Sequence, residues 1–496
     1  VKNDKSKYSA LTLGELKNSG YTPRSIKDEL RDNLIESLKK GKPLFEQIKG
    51  YEDSVIPQLE TAILSRHNIL LLGLRGQAKT RLSRLMIHLL DEYIPVVKGS
   101  EINDDPMEPI SIYAIDLIAE HGDNTPITWL HRSERYVEKL ATPDVNIADL
   151  IGDLDPIKAA SLKLNYADER VIHFGLIPRS HRCIFVINEL PDLQARIQVA
   201  LFNILQEGDI QIRGFRLRLP LDLQFIFTAN PEDYTNRGSI VTPLKDRIGS
   251  QILTHYPKSV EISSEITLQE ANIPKDQSSN ITVSPLISRL IEQIAFEARK
   301  SEYIDQKSGV SARLTISAYE SLFSVIQRRM LMNGDTKGNA RISDLYSIIP
   351  SITGKVELVY EGELEGISNV AYTLIGKAIR SAFTNYFPDP EKMKKSKQKN
   401  PYAEILAWFN EGNEFDLLLN SKNQEFISAL TKISGLETLV DFYQKGVSKE
   451  EKNMLSEFVL HGLSEYSMIS KRKLENNMKF SDIVGSIFNL KNTEEN

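Results

Sequence analysis

A single cysteine, Cys183, leaves no internal disulfide to form, which excludes a fold stapled for the extracellular space. The eight histidines are scattered without ligand spacing, so the sequence marks no resident transition-metal site. His173 and His181 flank one apolar run and read as structural polar residues. No apolar stretch approaches the ~20 residues of a membrane helix. The segment VKNDKSKYSALTLGELK lacks the apolar core of a signal peptide. The chain begins at Val1 rather than Met, which leaves room for a native start upstream. The expectation is a cytoplasmic protein without membrane insertion. Neither charge dominates: Lys+Arg 61 against Asp+Glu 67 gives a net charge of −6, which argues against an electrostatic nucleic-acid clamp. Gly 26 and Pro 21 are ordinary counts and exclude collagen-like or low-complexity chains.

What is present is a change of texture along 496 residues, too many for one hydrophobic core. Residues 1–47 are charged and helix-permissive, with Leu34, Leu38 and Phe45 recurring amid lysines. From 48 to 257, short apolar runs alternate with helical stretches. ILLL (69–72), ISIYAI (110–115), CIFVI (183–187), LQFIF (223–227) and SQIL (250–253) read as buried strands. That alternation predicts an α/β domain, a parallel sheet with helices on both faces. Residues 258–387 read as a helical domain with an extension, in which Leu286, Leu290 and Ile294 recur at helical spacing. KVELVY and GEL, near 355–364, look like two short strands. The proline-bracketed, lysine-rich 388–401 reads as a solvated linker, and 402–496 as a mainly helical C-terminal region.

Chemistry concentrates at a few points. In ILLLGLRGQAKTRLSRL a strand, a loop and a helix carry Gly73, Gly76, Lys79 and Thr80 at P-loop spacing, with Ala78 in the second glycine position. Backbone N–H groups of such a loop, here through Gln77, Ala78 and Arg81, cradle phosphates; the lysine reaches the β/γ-phosphates and the threonine hydroxyl binds Mg²⁺. A second strand ends in Asn188–Glu189, where a Walker B motif has two acids. Glu189 is placed to polarise a water, whereas Asn188 offers the metal shell an uncharged oxygen. The strand LQFIFTA ends at Asn230. Arg247 precedes the run SQIL, and Arg313 opens a helical stretch. Cys183 reads as a packed small hydrophobe.

Taken together these segments resemble an AAA+ ATPase of the helix-2-insert clade, similar to the magnesium chelatase ATPase subunit and MoxR-type proteins. The segments that carry the resemblance are IKGYEDSVIPQLETAIL (48–64), DLIGDLDPIKAASL (149–162), VIHFGLIPRSHRCIFVINELPDL (171–193) and NPEDYTNRGSIVTPLKDRIG (230–249). It implies Walker A at Lys79 and Thr80, Walker B at Asn188 and Glu189, sensor 1 at Asn230, an arginine finger at Arg247 and sensor 2 at Arg313. It also implies a hairpin over 207–220, which the alternation of Ile210 and Ile212 and the turn residue Gly214 suit. Ala78 and Asn188 depart from the pattern, and both bear on rate more than on fold. The implied architecture is a P-loop parallel sheet followed by a helical lid. ATP and Mg²⁺ are the implied cofactors, a ring of six copies the implied assembly, and a von Willebrand factor A-type protein the implied partner. An ATP-driven motor that remodels or metal-loads a partner competes with a nucleotide-gated scaffold that hydrolyses poorly because of Asn188. A sigma-54-type activator would need a GAFTGA loop and a helix-turn-helix, and neither is visible.

Overall fold

The computed structural model describes residues 8–164, 168–207, 209–210, 219–231, 239–395, 399–474 and 477–483. The chain divides into two compact units, Val1–His255 and Tyr256–Asn496.

The first unit is built on a five-stranded sheet: β1 (Ile69–Leu72), β2 (Tyr136–Leu140), β3 (Cys183–Asn188), β4 (Leu223–Ala229) and β5 (Ser250–Leu253). Their order is β5-β1-β4-β3-β2, and every pairing is parallel. The three central strands are buried along their whole length, the signature of a sheet covered on both faces. Side chains alternate across the pleat. Leu70, Phe185, Ile187 and Phe227 enter one apolar cluster, while Leu71, Ile184, Val186 and Ile226 enter the other. Helices α1 (Ile26–Lys39), α2 (Val55–Leu64) and α3 (Lys79–Leu85) contribute to the second cluster, and α4 (Ala195–Glu207) to the first. The N-terminal segment is thus part of this core: Leu34 and Phe45 are buried in it, although Leu38 stays exposed.

One expected strand fails here and one unexpected strand takes a place in the sheet. ISIYAI is no strand: Ser111 caps a helix over Ile112–His121, its side chain accepting from the Ala114 N–H at 3.1 Å. Asp104 fixes that cap, accepting from the N–H groups of Ile110 and Ser111 at 2.7 and 2.8 Å. The strand that fills the sheet edge is β2, YVEKL, whose half-buried, charged pattern carries no apolar run. Two of the segments that carry the resemblance meet, Gly152–Leu154 pairing antiparallel with Ile172–Phe174. Of the hairpin expected over 207–220, Asp209–Ile210 and Leu219–Pro220 pair antiparallel, whereas Ile212 and Gly214 lie outside the described residues.

One buried ion pair ties α1 to this sheet. The Arg135 guanidinium donates from Nη1 and Nη2 to the two Glu29 carboxylate oxygens at 2.7 and 2.6 Å, with both groups almost fully buried. Removing one partner strands the other charge in the interior, which typically costs about 3–5 kcal/mol. Glu29→Ala is expected to lower the free energy of unfolding, read from urea titrations, by that much. A loss below about 1 kcal/mol would mean that water reaches Arg135.

The second unit is mainly helical, with α5 (Val260–Glu270), α6 (Pro285–Ala298), α7 (Arg313–Asn333), α8 (Ile367–Phe383) and α9 (Lys449–Glu465) as its long members. Leu286, Leu290 and Ile294 are buried on α6 as their spacing requires. Helices α8 and α9 pack so closely that a Cβ on Gly462 would lie 2.1 Å from the Phe383 ring. A single apolar cluster runs from Ile281 to Phe480, so the residues before and after 388–401 share one core. Within that stretch Pro390–Lys395 is helical, and the Tyr402 hydroxyl donates to the Pro388 carbonyl. Two further differences concern strands. KVELVY supplies only a bridge at Leu358 to Ile304 before a helix over Tyr360–Glu365 that takes in GEL. The C-terminal region also holds an antiparallel sheet of β6 (Phe415–Leu418), β7 (Ser470–Lys473) and β8 (Asn477–Ser481), in the order β6-β8-β7. Lysine-rich β7 gives no strand signal in the sequence. No helix among the described residues is long and apolar enough to cross a membrane.

Candidate nucleotide site

The carboxyl ends of β1, β4 and β3 lie side by side, Leu72 in register with Ala229 and Phe227 with Ile187. The loop after β1, the Asn188–Glu189 turn and Asn230 therefore occupy one edge of the sheet, where ligands of open α/β sheets bind. Gly73 opens the loop by donating its N–H to the Ala229 carbonyl at 3.1 Å. A side chain there is excluded, because its Cβ would fall 1.9 Å from Thr254 Oγ1 and 2.2 Å from Gln77 Oε1. Gln77 is anchored just beyond β5 by Thr254, whose hydroxyl donates to its Oε1 at 2.8 Å. Tyr51 braces the loop from the α2 side: its buried hydroxyl lies 2.9 Å from the Gln77 carbonyl oxygen and 2.8 Å from that of His255. The His255 ring stands edge-on to Tyr51, and its Nε2 lies 2.9 Å from Ser54 Oγ.

Gly76 and Ala78 both adopt left-handed backbone, at φ 74° and 56°. For Ala78 this costs roughly 1–2 kcal/mol, which is why the consensus P-loop has glycine there. The curl turns successive N–H groups into one concavity, and α3 starts behind it without a side-chain cap. Lys79 is 7% exposed, its Nζ donating to the carbonyls of Gly73 and, at 3.1 Å, Leu74. A cation folded over its own loop beside a helix N-terminus suits an anion. Thr80 is half-buried in the first turn, and Arg81 follows it.

At the end of β3, the Asn188 amide is held from both sides. Thr228 Oγ1 donates to Asn188 Oδ1 at 3.0 Å, and Asn188 Nδ2 donates to Glu138 Oε1 on β2 at 2.6 Å. Glu138 Oε2 accepts from Arg84 Nε on α3 at 2.9 Å. Neither Glu138 nor Arg84 stands out in the sequence, because β2 itself does not. Glu189 takes left-handed backbone, φ 54° and ψ 51°, with its N–H donating to Thr228 Oγ1 at 3.2 Å. Asn230, 3% exposed, follows the residue that holds Gly73.

The two arginines belong to other elements of the chain. Arg247 ends the helix Thr242–Asp246, donating from Nε to Gln206 Oε1 at 2.9 Å and from Nη1 to the Pro243 carbonyl at 2.8 Å, its guanidinium 5.2 Å from the Phe202 ring centroid. Arg313 is the exposed first residue of α7 in the second unit, its N–H donating to Ser311 Oγ at 3.2 Å. Residues 232–238, between Asn230 and Arg247, lie outside the described residues. Burial pushes the Cys183 thiol up to about 12, as suits a packed hydrophobe. Burial likewise lowers His181 to about 4, and its Nδ1 accepts from the Asp222 N–H at 2.9 Å. His173 lies at the surface. Among the described residues no group of three or more His, Cys, Asp or Glu could hold a metal ion.

A parallel sheet ordered 5-1-4-3-2, with helices on both faces and a P-loop-spaced turn after its first strand, is the α/β architecture that the resemblance in sequence implies. No protein-family model matches the chain. Among solved structures it is similar to a candidate ATPase from Cytophaga hutchinsonii, at 19% identity over 74% of this chain and 98% of that one, with a TM-score of 0.28. It is also similar to the BchI–BchD complex of magnesium chelatase, at 19% identity over 64% and 98%, TM-score 0.34. A third similarity is to Thermotoga maritima RuvB, at 11% identity over 74% and 91%, TM-score 0.35.

Proposed function

We propose that the chain is an ATP-hydrolysing AAA+ ring motor that remodels or metal-loads a partner protein. The observation that carries the ATPase reading is Lys79, folded over a left-handed P-loop at the same sheet edge as Glu189 and Asn230. In this reading Lys79 exchanges its loop carbonyls for the β/γ-phosphates, and the loop N–H groups hold the remaining oxygens. Glu189 accepts a proton from the attacking water, which Asn230 orients. Thr80 and Asn188 would hold a Mg²⁺, which would supply neutralisation of the charge building on the phosphates. Arg247 and Arg313 complete the charge around the γ-phosphate, Arg247 from a neighbouring copy. The ring and a von Willebrand factor A-type partner follow from the resemblance in sequence. The uncharged Asn188 favours a second reading, a scaffold that binds ATP and assembles without turning it over.

The test is phosphate release from ATP by the purified chain, with assembly followed by light scattering. Mg²⁺-dependent release together with ATP-dependent assembly is the expected result. Assembly without release selects the scaffold, and absence of ATP binding overturns both.

A further inference from the structure

Asn188 leaves the metal position without the carboxylate that a hard divalent cation favours. A carboxylate is nevertheless present one strand away. Glu138 projects from β2, in register with Val186 and two residues short of the strand end. Its Oε1 accepts from the Asn188 amide at 2.6 Å, so it stands next to the side chain that would face the metal. Its Oε2 accepts from Arg84, which lies four residues after Thr80 and hence on the same face of α3. One carboxylate oxygen thus meets Asn188, and the other meets a residue one helical turn beyond Thr80.

From this placement we infer that Glu138 supplies the negative charge of the divalent-cation site, with Asn188 as the neutral member that lets it approach. The inference rests on the nucleotide reading of the P-loop. Like charges explain the exchange of roles: an aspartate at 188 would set two carboxylates about 2.6 Å apart, and one of them would have to take up a proton. An amide at 188 removes that repulsion and donates to Glu138 instead. Arg84 balances the carboxylate until the cation arrives. Its side chain is 64% exposed and that of Glu138 24%, so the pair is a surface ion pair of small strength that a divalent cation displaces.

The test is the binding of a fluorescent ATP analogue to the full chain, titrated with Mg²⁺ and repeated in EDTA. Glu138→Gln keeps an oxygen to accept from Asn188 while losing the charge and the acceptor for Arg84. It is expected to raise the Mg²⁺ midpoint at least tenfold while leaving binding in EDTA within twofold of wild type. Arg84→Ala frees the carboxylate and is expected to lower the midpoint several-fold. The double variant Glu138→Gln/Asn188→Asp moves the charge across the hydrogen bond and is expected to bring the midpoint back toward wild type, a rescue that a merely structural Glu138 would not give. Mn²⁺ electron paramagnetic resonance of the nucleotide complex gives a readout independent of turnover, with Glu138→Gln weakening the bound-ion signal. An unchanged midpoint in folded Glu138→Gln, or failure of the double variant to rescue it, overturns the inference. Failure of wild type to bind the analogue in EDTA strikes the P-loop reading instead.

Discussion

Lys79→Ala is expected to abolish tight ATP binding, whereas Glu189→Gln leaves binding intact and stops turnover. The two side chains belong to different elements and act at different moments. Lys79 sits inside the loop with its ammonium on the carbonyls of Gly73 and Leu74, a position from which it meets phosphate oxygens directly. Losing a charge-assisted contact to a polyphosphate costs about 1.5–3 kcal/mol per hydrogen bond, so affinity should fall by roughly one to two orders of magnitude for each bond lost. Glu189 lies two strands further along, beyond Asn188, and its proposed task begins only when a water attacks. General-base removal typically costs about 10²–10⁴ in rate. Equilibrium binding of a fluorescent ATP analogue, alongside phosphate release, separates the two. Because Lys79 also ties the loop to itself, thermal melts belong beside the binding curves. Equal loss of binding in both variants would remove the division of roles.

The parts of this site that the sequence made legible are those written in short-range patterns. The apolar run before Gly73, the spacing to Lys79–Thr80, and the strand ends at Asn188–Glu189 and Asn230 depend on neighbours along the chain, and the sheet sets them side by side. What the sequence hid was tertiary. Strand β2 is a half-buried edge with alternating charge, so YVEKL carries no signal of burial, and Glu138 is invisible until β2 is laid beside β3. ISIYAI misled for the opposite reason: its apolar run is strong, but Ser111 and the buried Asp104 cap it into a helix. Likewise the continuity of the second unit depends on Phe383 meeting Gly462 across nearly eighty intervening residues of chain, a contact that linker chemistry at 388–401 gives no hint of.

Arg247 supplies the larger effect, and it requires two copies. Its guanidinium is held by Gln206, Pro243 and the Phe202 ring, none of them part of the P-loop, and the proposed role in hydrolysis is one played on a neighbouring copy. An arginine finger contributes about 10³–10⁵ in rate, equivalent to roughly 4–7 kcal/mol of barrier. Arg247→Ala should therefore be almost inactive while still binding ATP. The variant also loses a helix-terminal contact, so inactivity alone does not identify a finger. Mixing does. Arg247→Ala keeps an intact P-loop, and Lys79→Ala keeps an intact finger. In a head-to-tail ring the two deficient chains can form composite sites where a good loop meets a good arginine. Random co-assembly at equal amounts gives such a site to about one subunit in four, the product of two even chances, so activity should return to roughly a quarter of wild type from two nearly dead preparations. Recovery should vanish on dilution below the assembly concentration, as wild-type turnover per subunit should. Turnover that is indifferent to dilution, or a mixture that assembles yet stays as inactive as its components, would place Arg247 outside the reaction.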